Sequence, residues 1–125
     1  MKKVLLVDDD AAVREMCESI LNRCLEGALV EHASNGMEAL EKISSSDYSA
    51  IVCDVDMPVM GGILFYKKLK LAFPSLAQRV VFVSGNFDDQ TLSFLHNEGR
   101  PYLPKPFVKK EFLHILNPVL ESRQQ

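Results

Sequence analysis

Apolar residues gather in short runs along this chain, and the runs give way to polar residues that share a chemistry. Val4-Leu5-Leu6-Val7 stops at Asp8-Asp9, Ala50-Ile51-Val52-Cys53 at Asp54, and Val80-Val81-Phe82-Val83 at Ser84; Tyr102-Leu103 leads through Pro104 to Lys105-Pro106. Short β-branched runs separated by helix-length segments predict parallel strands buried on both faces. Leu29 to Ala33 alternates and predicts a further short strand. Between the strands the period lengthens to that of a helix. Val13, Met16, Cys17, Ile20, Leu21 and Cys24 recur at helical spacing after Asp10, a suitable N-cap, and Gly27 supplies a stop. Ser34 and Asn35 with Glu38 predict a capped helix carrying Ala39, Leu40 and Ile43 inward and ending in Ser44-Ser45-Ser46-Asp47. A third helix follows the Pro58 to Gly62 loop through Ile63, Phe65, Leu69 and Phe73 and is closed by Pro74. Asp88 can cap a fourth, with Leu92, Phe94 and Leu95, that stops before Gly99. The last runs from about Val108 through Phe112, Ile115, Leu116 and Val119, where Pro118 predicts a kink or an early end.

Five such βα units predict an α/β fold: a doubly wound five-stranded parallel sheet with right-handed crossovers and helices on both faces. The flavodoxin-like strand order 2-1-3-4-5 puts strands one and three side by side at the switch point, and ligands bind outside the carboxyl ends of such strands. Asp8 and Asp9 then lie next to Asp54, with Ser84 and Lys105 on the same rim. Crowded carboxylates repel, and a low-dielectric cleft raises their pKa values unless a cation compensates. Magnesium, or manganese in its place, is the natural candidate, because a hard divalent ion takes carboxylates, waters and a phosphate as oxygen ligands. Any single Asp here is better explained by helix capping, Asp10 above all. Four matching strand ends together are not.

Composition narrows the field. At 125 residues, with 47% hydrophobic and 25% charged, the chain fits one domain with a real core, and it carries no repeats, linkers or low-complexity tracts. A net charge of -3 with scattered lysines and arginines offers no nucleic-acid surface. Met1-Lys2-Lys3 precedes too short an apolar run for a secretion signal, which leads to the expectation of a cytoplasmic protein without a membrane segment. Cys17, Cys24 and Cys53, odd in number and without metal spacing, are expected to be reduced thiols packed in the core. His32, His96 and His114 share no ligand spacing and are expected at the surface or satisfied by neighbours.

Leu6-Val7-Asp8-Asp9-Asp10, the run from Val52-Cys53-Asp54 to Met60-Gly61-Gly62, Val83-Ser84-Gly85 and Tyr102-Leu103-Pro104-Lys105-Pro106-Phe107 together resemble the receiver domains of bacterial two-component response regulators, the CheY-like family. The resemblance covers the whole chain, and four motifs in order at strand ends make it specific. It implies a single receiver domain over residues 1–125 with no separate output domain. It further implies that Asp54 is the phosphoacceptor, that Asp8, Asp9 and Asp54 hold magnesium, and that Asp56 adds its main-chain carbonyl. The donor it implies is a phosphohistidine on a sensor histidine kinase or a histidine phosphotransfer protein. Lys105 and Ser84 would bind phosphoryl oxygens, with Gly85 leaving the phosphate approach open and free in its backbone angles. The peptide bond from Lys105 to Pro106 would be cis. Ser84 and the aromatic Tyr102 would act as the switch, altering a partner surface made by the fourth predicted helix, the fifth strand and the last helix; phosphorylation-dependent dimerisation is compatible with this. The domain would catalyse its own phosphorylation and dephosphorylation and would not be an enzyme in the wider sense.

Departures from the family pattern fall near that surface. Gly99-Arg100-Pro101-Tyr102 looks one residue shorter than the usual approach to the switch aromatic, and Pro101 and Pro104 restrict the backbone. The stretch resembles receivers attached to hybrid histidine kinases, which favours a phosphorelay or free-standing role over a transcription factor. Gly61 stands where many members carry Asp, and Asp56 and Asn86 occupy positions that tune phosphate lifetime in the family. Two alternatives bear on the same residues. Ile51 to Asp56 also resembles the Asp-Xaa-Asp loop of haloacid-dehalogenase-like phosphatases, but those enzymes generally place it on their first strand, whereas here an acidic pair opens the sequence. A pseudo-receiver that binds partners without phosphorylation is disfavoured because every key position is filled.

Overall fold

The computed structural model describes residues 2–122. Five strands, β1 (Lys3–Val7), β2 (Leu29–Ala33), β3 (Ala50–Asp54), β4 (Val80–Ser84) and β5 (Tyr102–Pro104), form one sheet of order β2-β1-β3-β4-β5 with every pair parallel. Six helices connect and flank them: α1 (Ala11–Cys24), α2 (Gly36–Ile43), α3 (Gly62–Ala72), α4 (Pro74–Ala77), α5 (Asp89–Glu98) and α6 (Lys109–Ser122). This is the α/β doubly wound, flavodoxin-like architecture that the apolar runs predict.

Alternation along the strands divides the interior into two cores. Leu5, Val7, Ile51, Cys53, Val80 and Phe82 face α2, α3 and α5, where they meet Ala39, Ile43, Phe65, Leu69 and Leu95. Val4, Leu6, Ala50, Val52, Val81 and Val83 face the other way and pack on Cys17 and Leu21 of α1 and on Phe112 and Leu116 of α6. The central strands β1, β3 and β4 are buried on both faces, which is why they read as unbroken apolar runs. β2, at one edge, is only partly buried, and instead of the expected alternation its burial grades from exposed Leu29 to buried Ala33.

The helix starts follow their local signals. The Asp10 side chain accepts from Ala12 N, Asn35 from Glu38 N and Asp88 from Thr91 N, each satisfying a backbone donor that the helix itself leaves free. Glu38 returns the favour by accepting from Ser34 N and Oγ. Gly99 ends α5 with φ of 67°, the left-handed conformation glycine adopts at low cost.

One local expectation holds with an addition, and two need correction. Phe73, at φ −138° and ψ 70°, leaves the helical region ahead of Pro74 as predicted, but Pro74 then opens the four-residue helix α4, since a proline at a first helical position loses no hydrogen bond. Pro118 does not end α6, which runs on to Ser122 with Val119 and Leu120 buried; packing of that last turn outweighs the lost backbone donor. Among the thiols, Cys17 and Cys53 are buried, but Cys24 is exposed at the end of α1.

Candidate functional site

The parallel register brings the strand ends to one rim. Val7 pairs with Cys53 and Asp54 with Val83, so Asp8 and Asp54 emerge side by side from β1 and β3. One carboxylate oxygen from each of Asp8, Asp9 and Asp54 lies within 4.8 Å of the others. Asp8 and Asp54 are buried and Asp9 is exposed, so the cluster opens to solvent on one side. Lys105, delivered by the loop after β5, lies with Nζ 2.7 Å from Asp8 Oδ2 and 3.5 Å from Asp54 Oδ1. The Lys105–Pro106 peptide bond is cis.

Charge and burial set the protonation of these groups. Burial pushes the Asp54 carboxyl up to about 6, and the neighbouring Asp8 charge adds to the rise; Lys105 and the Asp56 main-chain N–H pull the other way. Burial disfavours the Lys105 ammonium, but its hydrogen bond to Asp8 and the two carboxylate charges outweigh that and raise its pKa. A buried carboxylate held above its usual range is short of positive charge. The donor set is all oxygen, three carboxylates converge, and one lysine does not offset them, which suits a hard divalent cation.

Ser84 is completely buried at the end of β4. Its hydroxyl donates to the main-chain oxygen of Asn86 at 2.9 Å and accepts from Asn86 N at 3.1 Å, while Asp56 Oδ2 lies 3.5 Å away. It is thus held by its own loop. Asp56 is exposed beyond β3. Tyr102 stands further along the edge, half-buried in β5, with its ring 5.1 Å from that of Phe87 and its hydroxyl 3.2 Å from His96 Nε2.

Gly85 is open, as expected, since a Cβ there would meet no protein atom within 4 Å; its backbone, however, does not use the left-handed region. The tightest approach at a glycine is at Gly62. A Cβ on it would stand 2.3 Å from the main-chain oxygen of Asp54, while Gly62 N donates to Val55 O at 2.9 Å. Gly62 therefore lets the start of α3 press directly against the strand that carries Asp54. Its place in a Gly-Gly pair marks a loop end, but only the folded contact identifies which glycine is constrained. The same loop holds Val59 at φ 68°, with Met60 N donating to Pro58 O at 2.7 Å. A β-branched residue there is strained. A further residue that no motif singled out is Arg14, whose guanidinium Nη1 donates to the main-chain oxygen of Asp8.

A parallel sheet of this order, with an acidic cluster and a lysine at its switch point, defines a doubly wound domain whose chemistry sits on the strand ends. The chain belongs to the response regulator receiver domain family, whose family model matches residues 4–117. Chemotaxis protein CheY4 of Vibrio cholerae is similar in structure, with a TM-score of 0.82 and 32% identity over 96% of this chain and 99% of that one. A CheY-like receiver domain protein from Methanospirillum hungatei has a TM-score of 0.88 and 27% identity, covering 99% and 97% respectively. A transcriptional regulatory protein of Haemophilus influenzae, a CpxR homolog, is 35% identical over 120 residues, which are 96% of this chain and 51% of the relative. The chain thus spans about half the length of such curated relatives. No helix among the described residues is long and apolar enough to cross a membrane.

Proposed function

We propose that this receiver domain is a phosphoacceptor switch, taking a phosphoryl group from a phosphohistidine of a sensor histidine kinase or a histidine phosphotransfer protein onto Asp54. The observation that carries this reading is the convergence of Asp8, Asp9 and Asp54 within 4.8 Å beside the Lys105 ammonium. In the transfer an Asp54 carboxylate oxygen attacks phosphorus, the phosphorus–nitrogen bond breaks, and its electron pair returns to the imidazole. The protein has little covalent work to do beyond supplying the nucleophile, so positioning and charge dominate. The side chains of Asp8, Asp9 and Asp54 with the main-chain carbonyl of Asp56 would hold a magnesium ion, which when bound neutralises phosphoryl oxygen charge.

Lys105 serves the other side of the phosphoryl group with an ammonium already within reach of both Asp8 and Asp54. Ser84, released from Asn86, hydrogen-bonds a phosphoryl oxygen, and Gly85 keeps the approach clear. Tyr102 then repacks, changing the face made by α5, β5 and α6 that an output partner reads. The coupling available to such a shift is about 1–3 kcal/mol. We take the domain to turn over no other substrate, and to work as a receiver in a cytoplasmic phosphorelay.

Intact mass after incubation with acetyl phosphate or phosphoramidate and magnesium tests this. We expect one acid-stable, alkali-labile phosphate that is lost in Asp54→Asn and in the presence of a chelator. A folded, metal-bound protein that takes no phosphate, with rapid hydrolysis checked, would sink the proposal in favour of a phosphorylation-independent binding module.

A further inference from the structure

Asp8 is held at four of its atoms. Its backbone N–H donates to Ala33 O at 3.0 Å, its Oδ1 accepts from Asp10 N at 2.9 Å, and its Oδ2 accepts from Lys105 Nζ. Its main-chain oxygen is met by Arg14 Nη1, reaching back from the first turn of α1. The Arg14 guanidinium is itself held: Nε donates to His32 Nδ1 at 3.1 Å. Because arginine offers only donors, Nδ1 must be the accepting nitrogen of the imidazole. The proton then sits on Nε2, which faces Glu18 Oε1 at 2.7 Å. A continuous chain of hydrogen bonds therefore runs from Glu18 on α1, across His32 on β2, back through Arg14 to the Asp8 backbone.

We propose that Arg14 is a positioning residue for the acidic cluster, fixing the β1–α1 turn so that Asp8 and Asp9 present their carboxylates toward Asp54, and that His32 and Glu18 orient its guanidinium. This rests on the metal-binding reading of Asp8 and Asp9 above. Two features favour orientation over general packing. The planar fork of arginine contacts the Asp8 oxygen and the imidazole from different nitrogens, which lysine cannot reproduce. The side chain of His32, far from the cluster in sequence, meets Arg14, as an outer-shell partner orients a ligand.

The test is magnesium affinity, measured by titration calorimetry without a phosphoryl donor, on the full chain and on Arg14→Gln, Arg14→Lys, His32→Ala and the double variant Arg14→Gln/His32→Ala. Thermal midpoints are recorded alongside, and amide exchange at Asp9 and Asp10 is followed in metal-free protein. We expect Arg14→Gln to raise the magnesium Kd roughly tenfold, the usual lower range for losing an outer-shell partner. Arg14→Lys should recover part of that. His32→Ala should raise Kd about threefold, and the double variant should bind no more weakly than Arg14→Gln alone, the signature of residues acting in series. Exchange at Asp9 and Asp10 should quicken in each. A magnesium Kd within twofold of the parent in Arg14→Gln, with only a lower thermal midpoint, would reduce Arg14 to a packing role and overturn the inference. Should that variant not fold, an unchanged Kd in His32→Ala does the same. Failure of the parent protein to bind magnesium would instead refute the function proposed above.

Discussion

The rim at β1 and β3 and the edge at β5 are both ends of one sheet, yet they are built in opposite ways. At the rim, Asp8 and Asp54 are rooted in strands hydrogen-bonded on both sides, and Lys105 ties them together. At the edge, β5 has three residues, Pro101 and Pro104 bracket Tyr102, and the tyrosine is half-buried with its hydroxyl on an exposed histidine. Proline is tolerated there because an edge strand need not donate on its open side. The difference suits the roles proposed for the two regions: transfer chemistry needs fixed distances, whereas a reporter needs alternatives close in energy.

The largest effect expected is on the rim's chemistry. Asp54→Asn should abolish phosphate incorporation by intact mass, at least a hundredfold below the parent, while Tyr102→Phe at the edge leaves incorporation within about threefold. Next in size is the steric limit under Asp54: Gly62→Ala forces a Cβ against a backbone carbonyl and should cost about 2–4 kcal/mol in urea unfolding, the scale of severe overpacking. Gly85→Ala, beside Ser84 but in open space, should change stability by less than about 1 kcal/mol.

A titration sharpens the same contrast. In metal-free protein the Asp54 carboxyl titrates near 6, above its unfolded value of 3.8, because it is buried beside Asp8. The native state therefore holds the extra proton between those limits, and stability falls as pH rises from about 4 to 6, with the whole cost present above that window. The ceiling is about 3 kcal/mol. Asp54→Asn should remove this slope and be more stable than the parent at neutral pH in chelator, read as a higher thermal midpoint. Loss of the slope in parent protein on adding magnesium would accord with the cation reading. The smallest effect is expected at the edge: His96→Ala removes one exposed contact to Tyr102 and should alter stability by no more than about 0.5 kcal/mol.

Much of the rim was legible because its signals are local and repeated. A strand buried on both faces has to be apolar, and a buried strand has to stop where a polar side chain can reach water or a ligand; Val7 to Asp8 and Cys53 to Asp54 record both demands. Caps at Asp10, Asn35 and Asp88 were legible for the same reason. What was hidden depends on contacts distant in sequence. Gly85 and Gly62 look equally free along the chain, but only Gly62 has a carbonyl in its way. Pro118 looks like a stop until Val119 and Leu120 are seen to be buried beyond it, and Arg14 is one more helix-surface arginine until β2 brings His32 to it. Val59's positive φ carries no compositional sign, since β-branched residues rarely take it.

Alternation along the strands also sorts the proposed switch into two compartments. Asp54 shares its side of the sheet with its register neighbour Val83, hence with the α1 and α6 core, whereas Tyr102 packs against the opposite core beside Phe82. On the proposed reading the sheet is a bulkhead between the side where Asp54 would take up the phosphoryl group and the side where Tyr102 would respond to it. Substitutions under α1 should then retune how fast the domain is charged and substitutions under α3 and α5 how loudly it speaks, while α6, on the Asp54 side of the sheet yet part of the proposed output face, would move both dials.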